Sequence, residues 1–291
     1  MQKMKDLCLF ISILFTLVFT GCTSVSTTVQ RNDTIAPYRE TKIDGVPLDK
    51  FLVSRTVQVI AGRELVFEPV TQSAGPATIN FHASGKEPLN MGKAVAIDSR
   101  GYFLTAAHVV RSGPITVFFG AGLSWGHFAA RLVWLGDNAP GQPDLAVIHI
   151  DTNVPVTFAW SQSSYVGDTV FAVGPNLVST KLTWKTYTKN FSDGLVAGKL
   201  LSAPAFTTAH LQTVILTDDL PLHPGDSGGP LADGQGQLIG VNITGQYDYI
   251  RSKRGEPKMF TSHAIRPELV WLQQLIEEDL TTNKSNGSQK P

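Results

Sequence analysis

Ser227 lies in a glycine-rich segment whose backbone can turn tightly and whose chemistry could be nucleophilic. The segment reads His223-Pro224-Gly225-Asp226-Ser227-Gly228-Gly229-Pro230-Leu231. Its glycines carry no Cβ, so backbone N–H groups can be exposed beside the serine hydroxyl. Two such donors could stabilise the negative charge that develops during acyl transfer. The same segment could also be a simple hairpin turn, because a serine is inert at neutral pH without a base and an orienting carboxylate.

A histidine that could serve as the base lies upstream. The β-prone run Gly101 to Thr105 leads through Ala106 and Ala107 directly to His108. The two alanines leave space for a packed imidazole at the end of a strand. Taken alone, a histidine after an apolar strand is more often structural than catalytic.

An aspartate that could orient this base begins another apolar run. Asp144 directly precedes the segment Leu145 to Ile150. Taken alone, it fits a turn or the start of a strand. The three candidates nevertheless follow one another as His, Asp, Ser, each at the edge of a β-type segment. That order is the one found in the chymotrypsin arrangement of a catalytic triad.

At these places the sequence resembles the chymotrypsin-fold serine proteases, and within them the bacterial HtrA/Deg branch. The matching text is AIDSRGYFLTAAHVV around His108, DLAVIHID from Asp144 and TDDLPLHPGDSGGPL through Ser227, followed by GQLIGVN. The resemblance implies a triad of these three residues and an oxyanion hole from the N–H groups of Gly225 and Ser227. An α/β-hydrolase is disfavoured, because there the acid and the histidine follow a serine placed on a strand-to-helix turn.

The resemblance also implies which residues meet a substrate. They are Pro221 and Leu222 in the primary pocket and Ile243, Thr244 and Gly245 on a strand edge that pairs with an extended peptide. The apolar pocket residues predict cleavage after small or medium apolar residues. If Asp218 or Asp219 faced the pocket instead, a preference for basic residues would follow.

Asp226 poses a separate question. In the digestive proteases of this fold, a matching aspartate pairs with the freed N-terminus of a cleaved zymogen, whereas HtrA-like enzymes usually carry asparagine. The chain shows no obvious activation sequence. Asp226 therefore either finds another donor or leaves its loop in an inactive form, because an unpaired buried carboxylate is costly.

The N-terminus predicts export and lipidation. Lys3 and Lys5 precede an apolar run from Leu7 to Phe19, which is too short to span a bilayer and fits a secretory signal. Cys22 follows small residues, so residues 1–21 resemble a lipoprotein signal peptide with lipidation at this cysteine. An ordinary signal peptide with an incidental cysteine is the alternative.

The residues after the signal predict a polar tether and an envelope location. Residues 22–45 are largely polar near their start, a composition that suits a flexible connection. Thr23 differs from the aspartate that resembles an inner-membrane retention signal. We therefore expect a lipid anchor in the outer membrane, facing the periplasm. A mature chain that begins at Cys22 has one cysteine and can form no internal disulfide.

Composition limits the classes of partner. The 291 residues include 24 basic and 24 acidic residues, so the formal net charge is zero and nucleic-acid binding is not expected. The chain has no H-E-x-x-H motif and no Cys/His cluster, so we expect neither a metal nor another cofactor. The expected partners are a protein or peptide substrate and, through the anchor, a membrane.

The spacing of short β-prone runs predicts an all-β fold of two six-stranded antiparallel β-barrels with a C-terminal α-helix. The protease domain is expected over residues 46–280, with barrels at about 46–152 and 166–265, a helix at 267–279 and a polar tail at 281–291. The helix is expected to pack on a barrel, with binding of a partner helix as the alternative. No PDZ domain is expected after it.

Three functional hypotheses follow from these patterns. The first is an envelope serine endopeptidase that forms an acyl-enzyme. The second is a catalytically idle lipoprotein that binds extended peptides on the same fold. The third is a lipoprotein whose barrels only build envelope structure. Fluorophosphonate labelling of Ser227 and peptide turnover discriminate among them.

Overall fold

The computed structural model describes most of the chain after residue 40. The described residues are 41–67, 79–121, 124–136, 143–180, 187–202, 205–207, 212–218, 220, 222, 225–248 and 259–287. All of them belong to one compact unit. The predicted signal peptide, Cys22 and most of the tether lie outside the described residues, as does Pro221.

Strands dominate the described chain, with three helices among them. In chain order the elements are β1 (Lys42–Ile43), β2 (Val46–Pro47), α1 (Leu48–Val53), β3 (Thr56–Ala61), β4 (Leu65–Phe67), β5 (Ile79–Ala83), β6 (Asn90–Asp98), β7 (Tyr102–Thr105), α2 (Ala107–Val110), β8 (Ile115–Ala121), β9 (Ser124–Leu135), β10 (Ala146–Ile150), β11 (Thr169–Thr180), β12 (Tyr187–Ser202), β13 (Ala205–Thr207), β14 (Gln212–Asp218), β15 (Pro230–Ala232), β16 (Leu238–Asp248), β17 (Met259–Arg266) and α3 (Leu269–Gly287).

The first half of the fold is a closed barrel. Its six strands follow the order β10-β7-β6-β3-β8-β9 and pair antiparallel throughout. Side chains alternate between the two faces of each strand, so one set fills the barrel and the other lies outside it. The interior set includes Ala94, Ala96, Phe103, Ala146 and Ile148.

The second half is a nine-stranded sheet that curls round. Its order is β13-β14-β17-β16-β15-β11-β12-β5-β4, and an additional pairing brings β12 back to β14. That pairing joins Leu200 to Asp218 and Ser202 to Thr217. A separate apolar cluster, which includes Val170, Leu200, Leu220, Leu222, Leu231 and Ile239, fills this half. The two halves therefore have interiors of their own.

A third cluster lies between the two halves and joins them. From the outer face of the first barrel it takes Val95, Leu104 and Val147, which alternate with the interior set along β6, β7 and β10. From the second half and from α3 it takes, among others, Phe171, Leu238, Val241, Ile265, Leu272 and Ile276. The same three strands thus contribute to two cores at once.

The C-terminal helix α3 is capped by Glu268. The carboxylate of Glu268 accepts the N–H groups of Val270 at 2.9 Å and Trp271 at 2.5 Å, which satisfies two free donors of the first turn. Near its other end, the hydroxyls of Thr281 and Thr282 donate to carbonyls four residues back, at 2.8 and 2.9 Å. The helix accordingly begins at Leu269 and continues past the predicted end at 279 to Gly287.

Asp279 attaches α3 to the first barrel. Its carboxylate accepts the Tyr102 hydroxyl at 2.7 Å and the Arg131 guanidinium at 2.6 Å, with a second Arg131 nitrogen also bonded. Burial alone would raise the pKa of Asp279, but these hydrogen bonds outweigh it and keep the pKa below its ordinary value. The helix α3 therefore follows β17 of the second half in the chain, but Asp279 attaches it to the first barrel.

The predicted fold class is confirmed: the chain is mostly β, with a closed six-stranded barrel, a second curled sheet and a C-terminal helix. Two details differ from the expectation. Residues 42–47 form the β1–β2 hairpin, turned at Asp44 and Gly45 with positive φ, although the tether was expected to continue to residue 45. Strands β4 and β5 join the second sheet through β12. Residues 182–186, a β-prone run within the predicted second barrel, lie outside the described residues.

Candidate active site

His108 is presented by the short helix α2, which directly follows β7. The neighbouring Ala106, Ala107, Val109 and Val110 are buried in the interior of the first barrel. His108 alone points outward, with 42% of its side chain exposed. The small alanines let the chain turn from strand to helix within the core, so the imidazole emerges at a fixed place on the surface.

Asp144 contacts His108 at two atoms. One carboxylate oxygen accepts the ring Nδ1–H at 2.7 Å, and the other accepts the His108 backbone N–H at 2.9 Å. A carboxylate is only an acceptor, so Nδ1 carries the proton and Nε2 of the neutral ring is left as the acceptor. That is the tautomer a general base requires. The Asp144 side chain is 11% exposed, so little water competes for the carboxylate.

The position of Asp144 depends on a close approach at Gly136. The N–H of Gly136 donates to the carbonyl of Leu145 at 2.8 Å. A Cβ on Gly136 would lie 2.0 Å from the carbonyl oxygen of Pro143, so a side chain here is excluded. The loop that carries Asp144 is thereby held against the end of β9, beside the start of β10.

The nucleophile loop uses glycine where the backbone is left-handed. Gly225 has φ +97° and Gly228 has φ +83°, values that L side chains rarely adopt. The N–H of Gly228 donates to the carbonyl of Asn242 at 2.7 Å, and that of Gly229 to the carbonyl of Asp226 at 3.0 Å. These bonds fold the loop around Ser227 and attach it to β16.

The Ser227 hydroxyl is directed toward β16. Its Oγ donates to the carbonyl of Ile243 at 3.4 Å, a long and weak bond. Ile243 lies at a β-bulge, where the register of β16 against β17 shifts between Asn242 and Thr244. Among the described residues, no hydrogen bond joins Ser227 to His108. The structure thus brings His108 and Asp144 into contact, while the described contact of the Ser227 hydroxyl is with Ile243 and not with the base.

Two backbone donors in this loop have no acceptor within the part of the chain that the structure describes. Among the described residues, neither the N–H of Gly225 nor that of Ser227 donates to another group. Both belong to the residues for which an oxyanion hole was predicted. Free N–H groups in a folded loop are available to a developing negative charge.

A buried lysine that sequence reasoning did not single out lies beneath this loop. The Lys93 ammonium on β6 is 2.5 Å from a carboxylate oxygen of Asp226, with the two side chains 2% and 16% exposed. Burial lowers the pKa of Lys93, while the charge of Asp226 and its hydrogen bond oppose that shift. A lysine within the apolar run of β6 was the available signal, because a buried ammonium needs a partner.

The backbone of β6 also contacts the nucleophile loop. The Lys93 N–H donates to the Ser227 carbonyl at 2.7 Å. A Cβ on Gly228 would lie 1.9 Å from the Lys93 carbonyl oxygen, and one on Gly92 would lie 2.7 Å from that of Ser227 and 2.5 Å from Val109. Two glycines therefore permit the first barrel, its helix α2 and the serine loop to meet.

The predicted substrate residues lie in different surroundings. Thr244 is exposed, whereas the Ile243 side chain packs against the barrel interior and the shared cluster, so its backbone is the part nearest Ser227. Gly245 continues β16 and pairs with Ser262 of β17. Leu222 is buried in the second interior, at 6% exposure.

The described residues were compared with the requirements of a metal site and of a membrane-spanning helix. No group of three or more His, Cys, Asp or Glu residues in this part of the chain could bind a metal ion. Within the same part, no helix combines the length and the apolarity that crossing a membrane requires.

Comparison with known families identifies one matching model. The model named "Trypsin-like peptidase domain" matches residues 92–241, which is more than half of the chain. This interval begins one residue before Lys93 and includes all three candidate triad residues.

Several curated proteases are about 30% identical to this chain over roughly half of its length. "Serine protease Do-like HtrA" of Lactobacillus helveticus is 33% identical over 153 residues, which is 50% of this chain and 32% of that protein. "Protease Do-like 1, chloroplastic" of Arabidopsis thaliana is 31% identical over 53% of this chain and 33% of its own length. "Probable periplasmic serine endoprotease DegP-like" of Pseudomonas putida is 28% identical over 54% of this chain and 30% of its own length. The chain spans about a third of the length of these relatives.

A solved structure has a similar fold. The "HtrA-type protease AlgW with tripeptide" superposes with a TM-score of 0.50 at 21% identity, covering 78% of this chain and 60% of that one. At this identity the similarity concerns the fold alone. It agrees with the two-part β architecture described above.

Proposed function

The chain belongs to the trypsin-like peptidase family, and on that premise we propose that it is a serine endopeptidase that cleaves peptides through Ser227, His108 and Asp144. The observation that carries the proposal is the double contact of Asp144 with His108, which fixes the tautomer of a base. An inactive homologue would also belong to the family, whereas this geometry is what general-base chemistry requires of the histidine.

The first half-reaction uses the serine as nucleophile. Rotation about its Cα–Cβ bond would exchange the weak contact with Ile243 for one with the free Nε2 of His108. Ser227 Oγ then attacks the peptide carbonyl carbon while Nε2 takes the hydroxyl proton, and Asp144 stabilises the imidazolium. The electron pair of the carbonyl moves to its oxygen, which the N–H groups of Gly225 and Ser227 would bind.

Collapse of this intermediate completes the cleavage. The carbonyl re-forms, the C–N bond breaks, and His108 gives its proton to the departing amine. Water then attacks the acyl-enzyme with His108 again as base, which releases the acid product and restores the Ser227 hydroxyl. His108 gives up every proton that it takes from Ser227 or from water, so the cycle balances without a cofactor.

The free edge of β16 supports an extended substrate. β15 pairs with this strand only as far as Val241, and beyond it the described residues provide a strand partner on one side alone, β17. A peptide could add to the other edge near Ile243, Thr244 and Gly245 through backbone hydrogen bonds. Leu222, which is the described residue of the predicted primary pocket, is apolar and belongs to the core of the second half, which supports a preference for small or medium apolar residues before the scissile bond.

Replacement of Ser227 tests the reaction. Ser227→Ala should abolish labelling by a fluorophosphonate and turnover of a peptide library, because no other group supplies the nucleophilic oxygen. Ser161→Ala is a matched control, since that serine is buried and bonds to the carbonyl of Ser163 at 2.9 Å. Retained labelling of Ser227→Ala, or peptide binding by the wild type without turnover, would contradict the assignment.

We further propose that the protein is a lipid-anchored envelope protein that acts on protein substrates. The N-terminal pattern through Cys22 supports the anchor, and the Pseudomonas putida relative is named as periplasmic. An outer-membrane position facing the periplasm follows from Thr23. Cys22→Ser should move the protein from the membrane fraction to the soluble fraction, and unchanged partitioning would rule out lipidation.

A further inference from the structure

We propose that Lys93 is a positioning residue for the catalytic loop: the first barrel supplies its ammonium to Asp226, and this pair keeps the Gly225–Ser227 turn in the form that binds an oxyanion. The inference deepens the proposed function and rests on it. It also answers how an aspartate directly before the nucleophile is accommodated.

The place of Lys93 is fixed by its neighbours on both sides. It lies opposite Gln58 of β3, and the adjacent Ala94 lies opposite Thr105 of β7. Its carbonyl accepts the Thr105 hydroxyl at 2.6 Å. The backbone that carries the ammonium is therefore part of the closed barrel and cannot follow a movement of the loop.

Charge explains why the two side chains must meet. An ammonium that is 2% exposed is costly to bury, and an opposite charge at 2.5 Å is what offsets that cost. Asp226 precedes Ser227 directly, so the geometry that satisfies Lys93 also sets the direction of the Ser227 backbone. The N–H of Lys93 adds a bond to the Ser227 carbonyl at 2.7 Å.

The contacts leave the loop little freedom to shift. A Cβ on Gly229 would lie 3.1 Å from the Lys93 Cδ and 2.9 Å from the Asp226 carbonyl oxygen. The lysine stem therefore packs against the loop while its head pairs with the carboxylate. The cation comes from a strand of the folded barrel, so order in the loop needs no freed N-terminus.

A merely structural ion pair would behave differently from a positioning pair. If the pair only stabilised the fold, variants that remain folded would stay active. If it positions the loop, a folded variant without the lysine loses activity, and neutralising Asp226 in that variant restores activity. The restoration arises because the damage is a buried carboxylate without its cation.

The test compares three variants in the full chain with a control. Lys93→Met keeps the length of the side chain without its charge, Asp226→Asn removes the opposite charge, and the third variant combines the two. Lys86→Met is the matched control, because Lys86 is exposed. The rate of fluorophosphonate labelling and kcat on a peptide substrate are measured well below each Tm.

Lys93→Met and Asp226→Asn should each slow labelling at least tenfold, because each removes one charge of the buried pair. The combined variant should label at least tenfold faster than Lys93→Met, and Lys86→Met should match the wild type. A folded single variant within tenfold of the wild type overturns the proposal, as does a combined variant that recovers nothing. If Lys93→Met does not fold, Asp226→Asn decides alone by the same tenfold limit.

Hydrogen exchange separates this inference from the proposed function. Peptides covering residues 225–231 should exchange faster in Lys93→Met than in the wild type, while those covering β3 are unchanged. Unchanged exchange in 225–231 overturns the role of Lys93. A wild type that is never labelled overturns the proposed function instead, and exchange in this segment still decides whether Lys93 orders the loop.

Discussion

Gly92 and Ser227 belong to different halves of the fold, yet a Cβ on Gly92 would lie 2.7 Å from the Ser227 carbonyl oxygen. The same Cβ would lie 2.5 Å from Val109, the residue that follows His108. A single hydrogen atom in the side-chain position thus permits the base and the nucleophile to approach each other.

Replacing this glycine should impair catalysis more than folding. Gly92→Ala has to push α2 away from the serine loop, and a misplacement of about 1 Å can cost about 100-fold in rate. We expect kcat to fall by about that factor while the protein still unfolds cooperatively. Gly234→Ala is the control, because a Cβ there meets only Phe171 at 3.8 Å. Equal kcat in the two variants would contradict the expectation.

Asp144→Asn should remove the orientation of the base. An amide in place of the carboxylate no longer requires the proton on His108 Nδ1, so Nε2 ceases to be a reliable acceptor. The expected loss in kcat is about 10⁴-fold with little change in KM, measured on a short peptide substrate. A loss smaller than tenfold would show that the contact between Asp144 and His108 does not serve the reaction.

Asp279→Ala should loosen α3 from the first barrel. The change leaves the buried Tyr102 hydroxyl without its acceptor and removes both Arg131 contacts, which predicts a loss of about 1–3 kcal/mol in the free energy of unfolding. Glu277→Ala on the same helix breaks only an exposed pair with Arg100 and should cost less than about 1 kcal/mol. Urea denaturation of both variants measures the difference, and equal losses would refute the role of Asp279.

His149 should make the fold sensitive to acid. Burial is the larger cause and the charge of Arg131 the smaller one, and together they lower the pKa of His149 below the ordinary 6.5. As pH falls below that value the unfolded chain takes up a proton before the folded chain does, so stability decreases. His149→Gln should lose less stability than the wild type between pH 7.5 and 5.5, because glutamine takes up no proton in this range. His82→Gln, at an exposed site, should follow the wild type, and identical curves for all three would contradict the prediction.

The sequence allowed the strands around the three candidate residues to be located because each candidate ends or begins an apolar run. The all-β architecture could be predicted on that basis, and the order of His108, Asp144 and Ser227, together with the family resemblance, allowed them to be proposed as a triad. The partner of Asp226 could not, since Lys93 lies 133 residues away and only the strand register brings the two together. Pairing of β5 with β12 escaped prediction for the same reason.

The C-terminal helix shows a different limit. Its apolar face predicted packing on a barrel, and Leu272 and Ile276 do belong to the shared cluster. Its polar end suggested a tail, because threonine is a poor helix former by propensity alone. The hydroxyls of Thr281 and Thr282 instead bond to the preceding turn, which tertiary attachment through Asp279 holds in place.

The cluster between the halves affects how the two halves can come apart. Val95, Leu104 and Val147 stand on strands that also line the first barrel, so detaching the second half would expose the outer wall of the first. Because the same strands serve two cores, we expect the two halves to unfold together rather than one after the other.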